Sequence, residues 1–193
     1  MTPNSPYTAA RSPAYALLGF LALGPAHGYD LHQRLTSELG QVWHTSQSQT
    51  YAILARLEAQ GLIEGAAVHR SRLPARRQLA LTPAGRARFE AWLTTPTGAS
   101  IRAIRVDFIT RLYFAAHLRP ALLRDMVAEM LDRAQADQHA LQVRLAATAD
   151  EQRFNRLALE LRIRQLAAVI DWLTNCIDRE GDFRAPARLL GMV

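Results

Sequence analysis

The chain has 193 residues, of which 49% are hydrophobic and 21% charged, with a formal charge of +6. This composition is typical of a globular protein and excludes a disordered chain. A membrane span is excluded because no run of about 18 apolar residues occurs, and an internal disulfide is excluded because Cys176 is the only cysteine. Residues 1–11 contain two prolines and no hydrophobic signal core, so we expect a disordered leader on a cytoplasmic protein.

The positive charge is concentrated in one segment. From His69 to Phe89 the chain carries six arginines and no acidic residue, whereas from residue 96 onward 14 arginines are nearly balanced by 12 acids. The six are Arg70, Arg72, Arg76, Arg77, Arg86 and Arg88. An acid-free basic segment indicates a polyanionic partner, with nucleic acid favoured over an acidic membrane surface. A solvated loop is the alternative.

Two short helices are predicted first. Ser12 provides an N-cap and Pro13 a first-turn proline for an apolar helix that continues to Leu23. Leucines at helical spacing predict a second helix over residues 28–39. Gly40 is then suited to a left-handed C-terminal cap.

The third helix begins in a polar cluster at Ser46, ends at Gly61 and has two unlike faces. At about 100° per residue, one face is an apolar stripe and the opposite face is flat. The stripe contains Thr50, Ile53, Leu54 and Leu57, and the flat face contains Ser48, Ala52, Ala55 and Ala59. Tyr51 and Arg56 stand at the edges of the flat face. Such a helix fits a DNA major groove, where serine, glutamine and arginine contact bases and phosphates; an ordinary exposed helix is the alternative, since alanine favours helices.

A β-hairpin and a fourth helix follow. Residues 62–69 look extended, residues 71–75 predict a turn, and residues 78–81 alternate polar and apolar as a half-buried strand does. Thr82 then caps a helix that contains Trp92. Three helices followed by a hairpin form a winged helix-turn-helix, and the arginines at the hairpin tip would meet phosphates.

The remaining sequence is predicted to be helical. Apolar residues at helical spacing run from Ile101 to Ala115, and Pro120 opens a longer helix. In the last helix the apolar spacing is 4, 3, 4, 3, 4, typical of two helices packing along each other. These residues are Leu159, Ile163, Leu166, Ile170, Leu173 and Ile177. The spacing alone fits an intrachain seam as well as a dimer seam. The long amphipathic helices have more apolar surface than one chain can bury, so we assign the six residues to a homodimer.

The chain resembles PadR-type transcriptional regulators of the longer kind, which have a virulence-activator-like C-terminal helical domain. The resemblance covers residues 12–180 and is carried by AYALLGFLALGPAHGYDL, SQTYAILARLEAQGLI, RLPARRQLALTPAGRARFEAWL, DFITRLYFA and IRQLAAVIDWL. It implies a homodimeric repressor that binds a palindromic double-stranded DNA operator and is released by a small aromatic effector. Trp92 is the candidate effector residue. The chain departs from the family pattern at Leu79 and Ala80, where the family wing has an aromatic and a basic residue.

We therefore predict a mainly α fold with two domains. Residues 12–95 form an N-terminal winged helix-turn-helix with a small β-hairpin wing, and residues 96–193 form an all-helical C-terminal domain for dimerisation and effector binding. The predicted DNA-binding residues are Gln47, Ser48, Gln49, Tyr51, Arg56, Arg70, Arg72, Arg76 and Arg77. A winged-helix protein-interaction module and a transcriptional activator are the alternatives. No metal-ligand spacing, phosphate loop or activated serine is found, so we expect no enzyme activity, metal or cofactor.

Overall fold

The computed structural model describes residues 13–68, 76–98 and 100–178. The predicted leader, the Ser12 cap, and the hairpin turn with Arg70 and Arg72 lie outside the described residues. The chain divides into two compact units. The first comprises the described residues up to Pro96 together with Ile109–Phe114, and the second comprises Thr97–Phe108 and the described residues from Ala115 onward.

The first unit is a winged helix-turn-helix. Its elements are α1 (Ala14–Leu23), β1 (Ala26–His27), α2 (Gly28–Leu39), α3 (Gln47–Ala59), β2 (Ile63–Val68), β3 (Arg76–Leu81) and α4 (Pro83–Thr94). The three strands form an antiparallel sheet in the order β1-β3-β2, with Leu79 opposite both Ala26 and Gly65. The predicted fold is confirmed. Only β1 was missed, because a two-residue strand is too short to show an alternating pattern.

An aromatic cluster fills the core of the first unit. The Phe114 ring meets Phe20 and Phe89 at centroid distances of 5.3 and 5.6 Å, both edge to face. The same ring lies against Gly19 of α1, where an added Cβ would come within 2.4 Å of it. Edge-to-face rings at these distances are favourable and bury large apolar areas. Residues 109–114 therefore belong to this unit because Phe114 completes its core.

The two predicted glycine caps have different outcomes. Gly61 has φ 67°, in the left-handed region, and ends α3 as predicted. Its amide donates to the Glu58 carbonyl at 2.8 Å, and the next amide donates to the Leu57 carbonyl at 3.0 Å, which is a Schellman motif. The prediction for Gly40 was wrong, since its φ is −64°. There the chain continues in a right-handed turn, so the Leu39 carbonyl is satisfied without a left-handed residue.

All regular secondary structure in the described residues of the second unit is helical. Its elements, which share α6 with the first unit, are α5 (Ile101–Ala103), a π-helix (Ile104–Phe108), α6 (Ile109–Leu118), a 3-10 turn (Pro120–Leu122), α7 (Leu123–Ala147) and α8 (Arg153–Asp178). The helices α7 and α8 pack along each other. At the middle of their seam, the Gln138 side-chain amide donates to the Ile163 carbonyl at 3.2 Å. Among the described residues, no helix has both the length and the hydropathy needed to cross a bilayer.

The seam between α7 and α8 uses part of the stripe that we assigned to dimerisation. Leu159, Leu166 and Leu173 are 8%, 6% and 0% exposed in the single chain. The buried residues of α7 are Val127, Met130, Ala134 and Leu141, and α7 packs along α8. The intrachain alternative therefore applies to these three leucines. Ile163, Ile170 and Ile177 are half-buried, and the dimer role of the stripe stays a prediction.

Gly61 offers a test of the turn that joins α3 to the wing. Because nothing lies within 4 Å of an added Cβ there, Gly61→Ala changes only the backbone preference and should lower the free energy of unfolding by about 1 kcal/mol. Urea denaturation measures this change. Gly98→Ala is the matched control, since its Cβ would also meet nothing within 4 Å and its φ lies outside the left-handed region. Equal stability of the two variants would contradict the assigned left-handed conformation.

Candidate nucleic-acid interface

The helix α3 has one buried face and one exposed face, as its periodicity predicts. Thr50, Ile53, Leu54 and Leu57 are buried in the first unit. The exposed residues are Gln47, Ser48, Gln49, Tyr51, Ala52, Ala55, Arg56 and Ala59. The small side chains therefore lie in solvent between longer polar ones, which leaves a face that a groove can approach closely.

Thr50 ties α3 to α2. It is completely buried, its hydroxyl donates to the Ser46 carbonyl at 3.2 Å, and it lies 3.0 Å from Nδ1 of His32. The Thr50 oxygen can accept a hydrogen bond from His32 while its hydroxyl donates to Ser46. The contact with His32 of α2 helps to fix the rotation of α3 about its axis, which determines which of its residues face solvent.

Gln49 has a structural role that we did not predict. Ser46 Oγ accepts from the Gln49 amide at 3.2 Å, and Gln49 Oε1 accepts from the Ser46 amide at 2.9 Å. This is a capping box, which satisfies amides at the helix start. The Ser-x-x-Gln pattern at residues 46–49 is the signal that could have found it. Of the predicted DNA-binding residues, Gln49 therefore has its side-chain oxygen already engaged.

Tyr51 stands at one edge of the exposed face. Its ring lies against Gly28 at the start of α2, where an added Cβ would come within 2.8 Å of a ring carbon. A larger residue at position 28 would push the ring away. Tyr51 is nevertheless 45% exposed. The structure thus holds the ring in place while leaving part of it open to a partner.

The wing brings one arginine beside α3. Arg77 of β3 is 59% exposed in its side chain and forms an ion pair with Glu58 of α3. The Arg77 carbonyl lies 3.0 Å from Nδ1 of His27, which links β3 to β1. For Arg76 the structure describes the backbone, which pairs with Val68 of β2. The predicted wing arginines that can be placed are thus on the central strand of the sheet.

Trp92, the candidate effector residue, is covered in the first unit. It is 7% exposed and stacks on Tyr15 at 4.8 Å, with the ring planes 9° apart. The Arg111 guanidinium lies 4.6 Å from the Trp92 centroid and also donates to the carbonyls of Trp92 and Thr95. Arg111 therefore caps the C-terminus of α4. A ligand would have to displace Tyr15 or Arg111 to stack on this indole, and the effector role stays a prediction.

A groove of about 430 Å³ in the second unit was not predicted. Its floor includes the buried residues Leu141 and Leu166, and the exposed Arg144 and Arg162 stand at its sides with Asp137. An apolar floor beside two arginines suits an organic anion. No sequence signal identified it, because its residues come from three separate segments.

The capping role of Gln49 can be tested by measuring the stability of two variants. Gln49→Ala removes the acceptor for the Ser46 amide and should lower the free energy of unfolding by about 0.5–1 kcal/mol. Gln49→Glu keeps the capping oxygen, since glutamate also occurs at this position of a capping box, and should leave stability unchanged. Thermal and urea unfolding measure both variants. A loss of stability in Gln49→Glu equal to that in Gln49→Ala would show that the capping box contributes nothing.

Comparison with known proteins follows the division into two units. Residues 17–91 match the family model for the transcriptional regulator PadR-like family, and residues 104–179 match the model for the virulence activator alpha C-term. The negative transcriptional regulator PadR of Bacillus subtilis (strain 168) is 28% identical over 144 residues, which are 73% of this chain and 79% of that protein.

Three solved structures are also similar. Bacillus subtilis PadR in complex with operator DNA is 23% identical, with 86% of this chain and 96% of that one covered and a TM-score of 0.41. The complex of the same protein with p-coumaric acid is 25% identical, with 92% and 98% covered and a TM-score of 0.40. The Vibrio cholerae virulence activator AphA is 22% identical, with 89% and 99% covered and a TM-score of 0.39. The chain therefore combines a segment that matches the PadR-like family of transcriptional regulators, residues 17–91, with a segment that matches the virulence activator alpha C-term, residues 104–179.

Proposed function

We propose that the chain is a sequence-specific transcriptional repressor that binds a palindromic DNA operator as a homodimer. The observation that carries this proposal is the exposed face of α3, whose alanines lie between Tyr51 and Arg56. A B-DNA major groove is wide enough to admit a helix of this shape. Repression is supported by the curated relative, whose name is that of a negative regulator. Such a protein acts on the chromosome, and hence in the cytoplasm.

The exposed residues divide by chemistry into two roles. Gln47 and Ser48 lie in the first turn of α3, where short polar side chains reach base edges. Tyr51 and Arg56 stand at the edges of the helix, where the groove is bordered by phosphates. Arg76 and Arg77 of the wing, together with Arg70 and Arg72 outside the described residues, would contact the phosphate backbone. Affinity then comes mainly from the arginines, and sequence preference from the start of α3.

DNA binding by the intact protein tests this division of roles. The specific probe is a DNA fragment of the source genome that the purified protein retains. Arg56→Ala should weaken binding to this retained fragment and to unrelated duplexes by the same factor, about 10-fold, since a phosphate contact is independent of sequence. Ser48→Ala should instead reduce the difference in affinity between the retained fragment and unrelated duplexes. Fluorescence anisotropy with labelled duplexes gives both numbers. Arg102→Ala, which removes an exposed arginine of the second unit, is the charge control.

The salt dependence of DNA affinity tests the electrostatic role of the arginines. If a dimer neutralises about six to ten phosphates, raising salt from about 50 to 200 mM should weaken binding by about 10³ to 10⁵. Affinity that is constant over this range would contradict the electrostatic role of the arginines. Absence of duplex binding at about 50 mM would favour the protein-interaction module instead.

The dimer contact that we propose lies on another face of α8 from the seam with α7. Large apolar residues remain exposed there: Phe154 at 83%, Leu157 at 51%, Leu161 at 58% and Trp172 at 36%. At about 100° per residue they fall within about 60° of one another, whereas the seam leucines are centred about 140° away. An apolar stripe of this length is unusual on a monomer surface. A second copy related by a two-fold axis would cover it and hold the two copies of α3 at a fixed separation.

A charge placed on this stripe should separate the dimer. Leu161→Glu puts a carboxylate into the proposed contact and should convert the dimer to a monomer of 21.5 kDa, because an unpaired charge is costly to bury. Ala167→Glu is the matched control, since Ala167 is exposed on α8 about 120° away from the stripe. Light scattering after size exclusion measures the mass. A wild-type monomer, or a Leu161→Glu dimer, would contradict this contact.

The family resemblance implies a small aromatic ligand, for which Trp92 is the candidate residue. Its ring is stacked on Tyr15, so binding there requires a rearrangement of the first unit. The groove beside Arg144 and Arg162 is open without such a change. Either site would release DNA by favouring a state in which the two copies of α3 no longer match the half-sites.

A further inference from the structure

Glu58 and Arg77 join the proposed recognition helix to the wing. Nη2 of Arg77 on β3 donates to Oε1 of Glu58 on α3, and the two residues are 19 positions apart in the chain. The Glu58 side chain is 30% exposed and that of Arg77 is 59% exposed. The contact is therefore open to solvent, and an exchange of partners does not require the unit to unfold.

Gly65 makes this contact sterically feasible. It lies on β2 opposite Leu79 of β3, and the Arg77 side chain passes directly over it. An added Cβ at position 65 would lie 2.2 Å from Arg77 Nε and 2.7 Å from its guanidinium carbon. Only a residue without a side chain leaves this path open. The absence of a side chain at Gly65 thus allows the Arg77 side chain to cross β2 and reach Glu58.

Glu58 lies at the edge of the face of α3 that is proposed to bind DNA. At about 100° per residue, Glu58 lies about 20° from Tyr51, two turns further along the same edge of the helix. That edge borders the face proposed to enter the major groove. An unpaired carboxylate there would repel the DNA phosphates, so its pairing with Arg77 removes a repulsion as well as holding the arginine.

We propose that Glu58 is a specificity-determining residue that holds Arg77 where it meets a phosphate only when α3 is seated in its operator. This inference rests on the proposed function. Arginine has five N–H donors, so Arg77 can bind a phosphate through charge-assisted bonds while it stays paired with Glu58. A duplex that does not seat α3 offers no phosphate at this position, and Arg77 reaches one only if its exposed ion pair breaks, which has a small cost. Glu58 thereby lowers affinity for unrelated DNA more than for the operator.

The test compares four variants of the full chain with the wild type. Glu58→Gln removes the charge at nearly constant shape, Arg77→Ala removes the arginine, and a double variant combines both. Glu38→Gln is the matched control, because Glu38 also pairs with an arginine in the first unit, Arg34 at 3.0 Å. The probes are a genomic fragment that the wild type retains and a shuffled duplex of the same length and composition.

We expect Glu58→Gln to bind the shuffled duplex about 3- to 10-fold more tightly than the wild type, with a smaller gain on the retained fragment. Arg77→Ala should reduce the salt slope on the retained fragment by about 0.9 for each phosphate that the arginine neutralises in the wild type. The double variant should show the same ratio between the two duplexes as Arg77→Ala does, since Glu58 affects selectivity through Arg77. Glu38→Gln should leave the ratio between the two duplexes unchanged.

Other outcomes would overturn this restraint on Arg77. If Glu58→Gln binds the shuffled duplex no more tightly than Glu38→Gln does, or if Arg77→Ala keeps the wild-type salt slope, the ion pair is purely structural. The proposed function would survive both results, and it fails only if the wild type binds no duplex. If Glu58→Gln does not fold, Gly65→Ala replaces it, because its Cβ displaces Arg77 without changing any charge. That variant must lower the ratio of retained-fragment affinity to shuffled-duplex affinity, and an unchanged ratio would reject the restraint.

Discussion

The one-sided burial of α3 is the constraint on which the rest of the account depends. Thr50, Ile53, Leu54 and Leu57 lie in the core, and rotating the helix by a quarter turn would expose them and bury polar residues instead. The contact of Thr50 with His32 of α2 opposes such a rotation. The alanine face is therefore held in solvent by packing on the opposite side. A surface prepared in this way loses little conformational freedom when a partner binds it.

Charged residues border the exposed face of α3. The exposed edges of α3 carry Arg56 on one side and Glu58 on the other, and the wing places Arg77 against Glu58. Net charge alone would describe this region as simply basic. The structure instead contains one arginine whose charge is already partly matched. Affinity and selectivity for DNA would then depend on which ion pairs must be broken on binding, as well as on how many phosphates are bound.

Much of the fold could be predicted from the sequence, because it is encoded in local patterns. The two faces of α3, the cap at Gly61 and the hairpin all follow from periodicity and glycine chemistry. Local patterns also explain the misses. Gly40 has the right identity for a left-handed cap but ends its helix in a right-handed turn. The π-helix at Ile104–Phe108 was invisible, because apolar spacings of three and four fit a regular helix equally well.

The candidate site was less predictable, since its decisive contacts join residues far apart in the chain. Nothing near Glu58 in the sequence indicates that Arg77 crosses Gly65 to reach it. The stripe in the last helix illustrates the same difficulty. Its spacing predicts that Leu159, Leu166 and Leu173 pack against a helix, and in the single chain that helix is α7. Periodicity identifies a buried face but does not identify the chain that covers it.

The most direct measurement is the change in backbone amide NMR shifts when a DNA duplex is added to the isotope-labelled protein. If the exposed face of α3 enters the groove, the largest changes will fall on residues 46–59 and on the strands of the wing. Changes confined to α8, or spread evenly over both units, would contradict the claim that this face is the one that binds DNA.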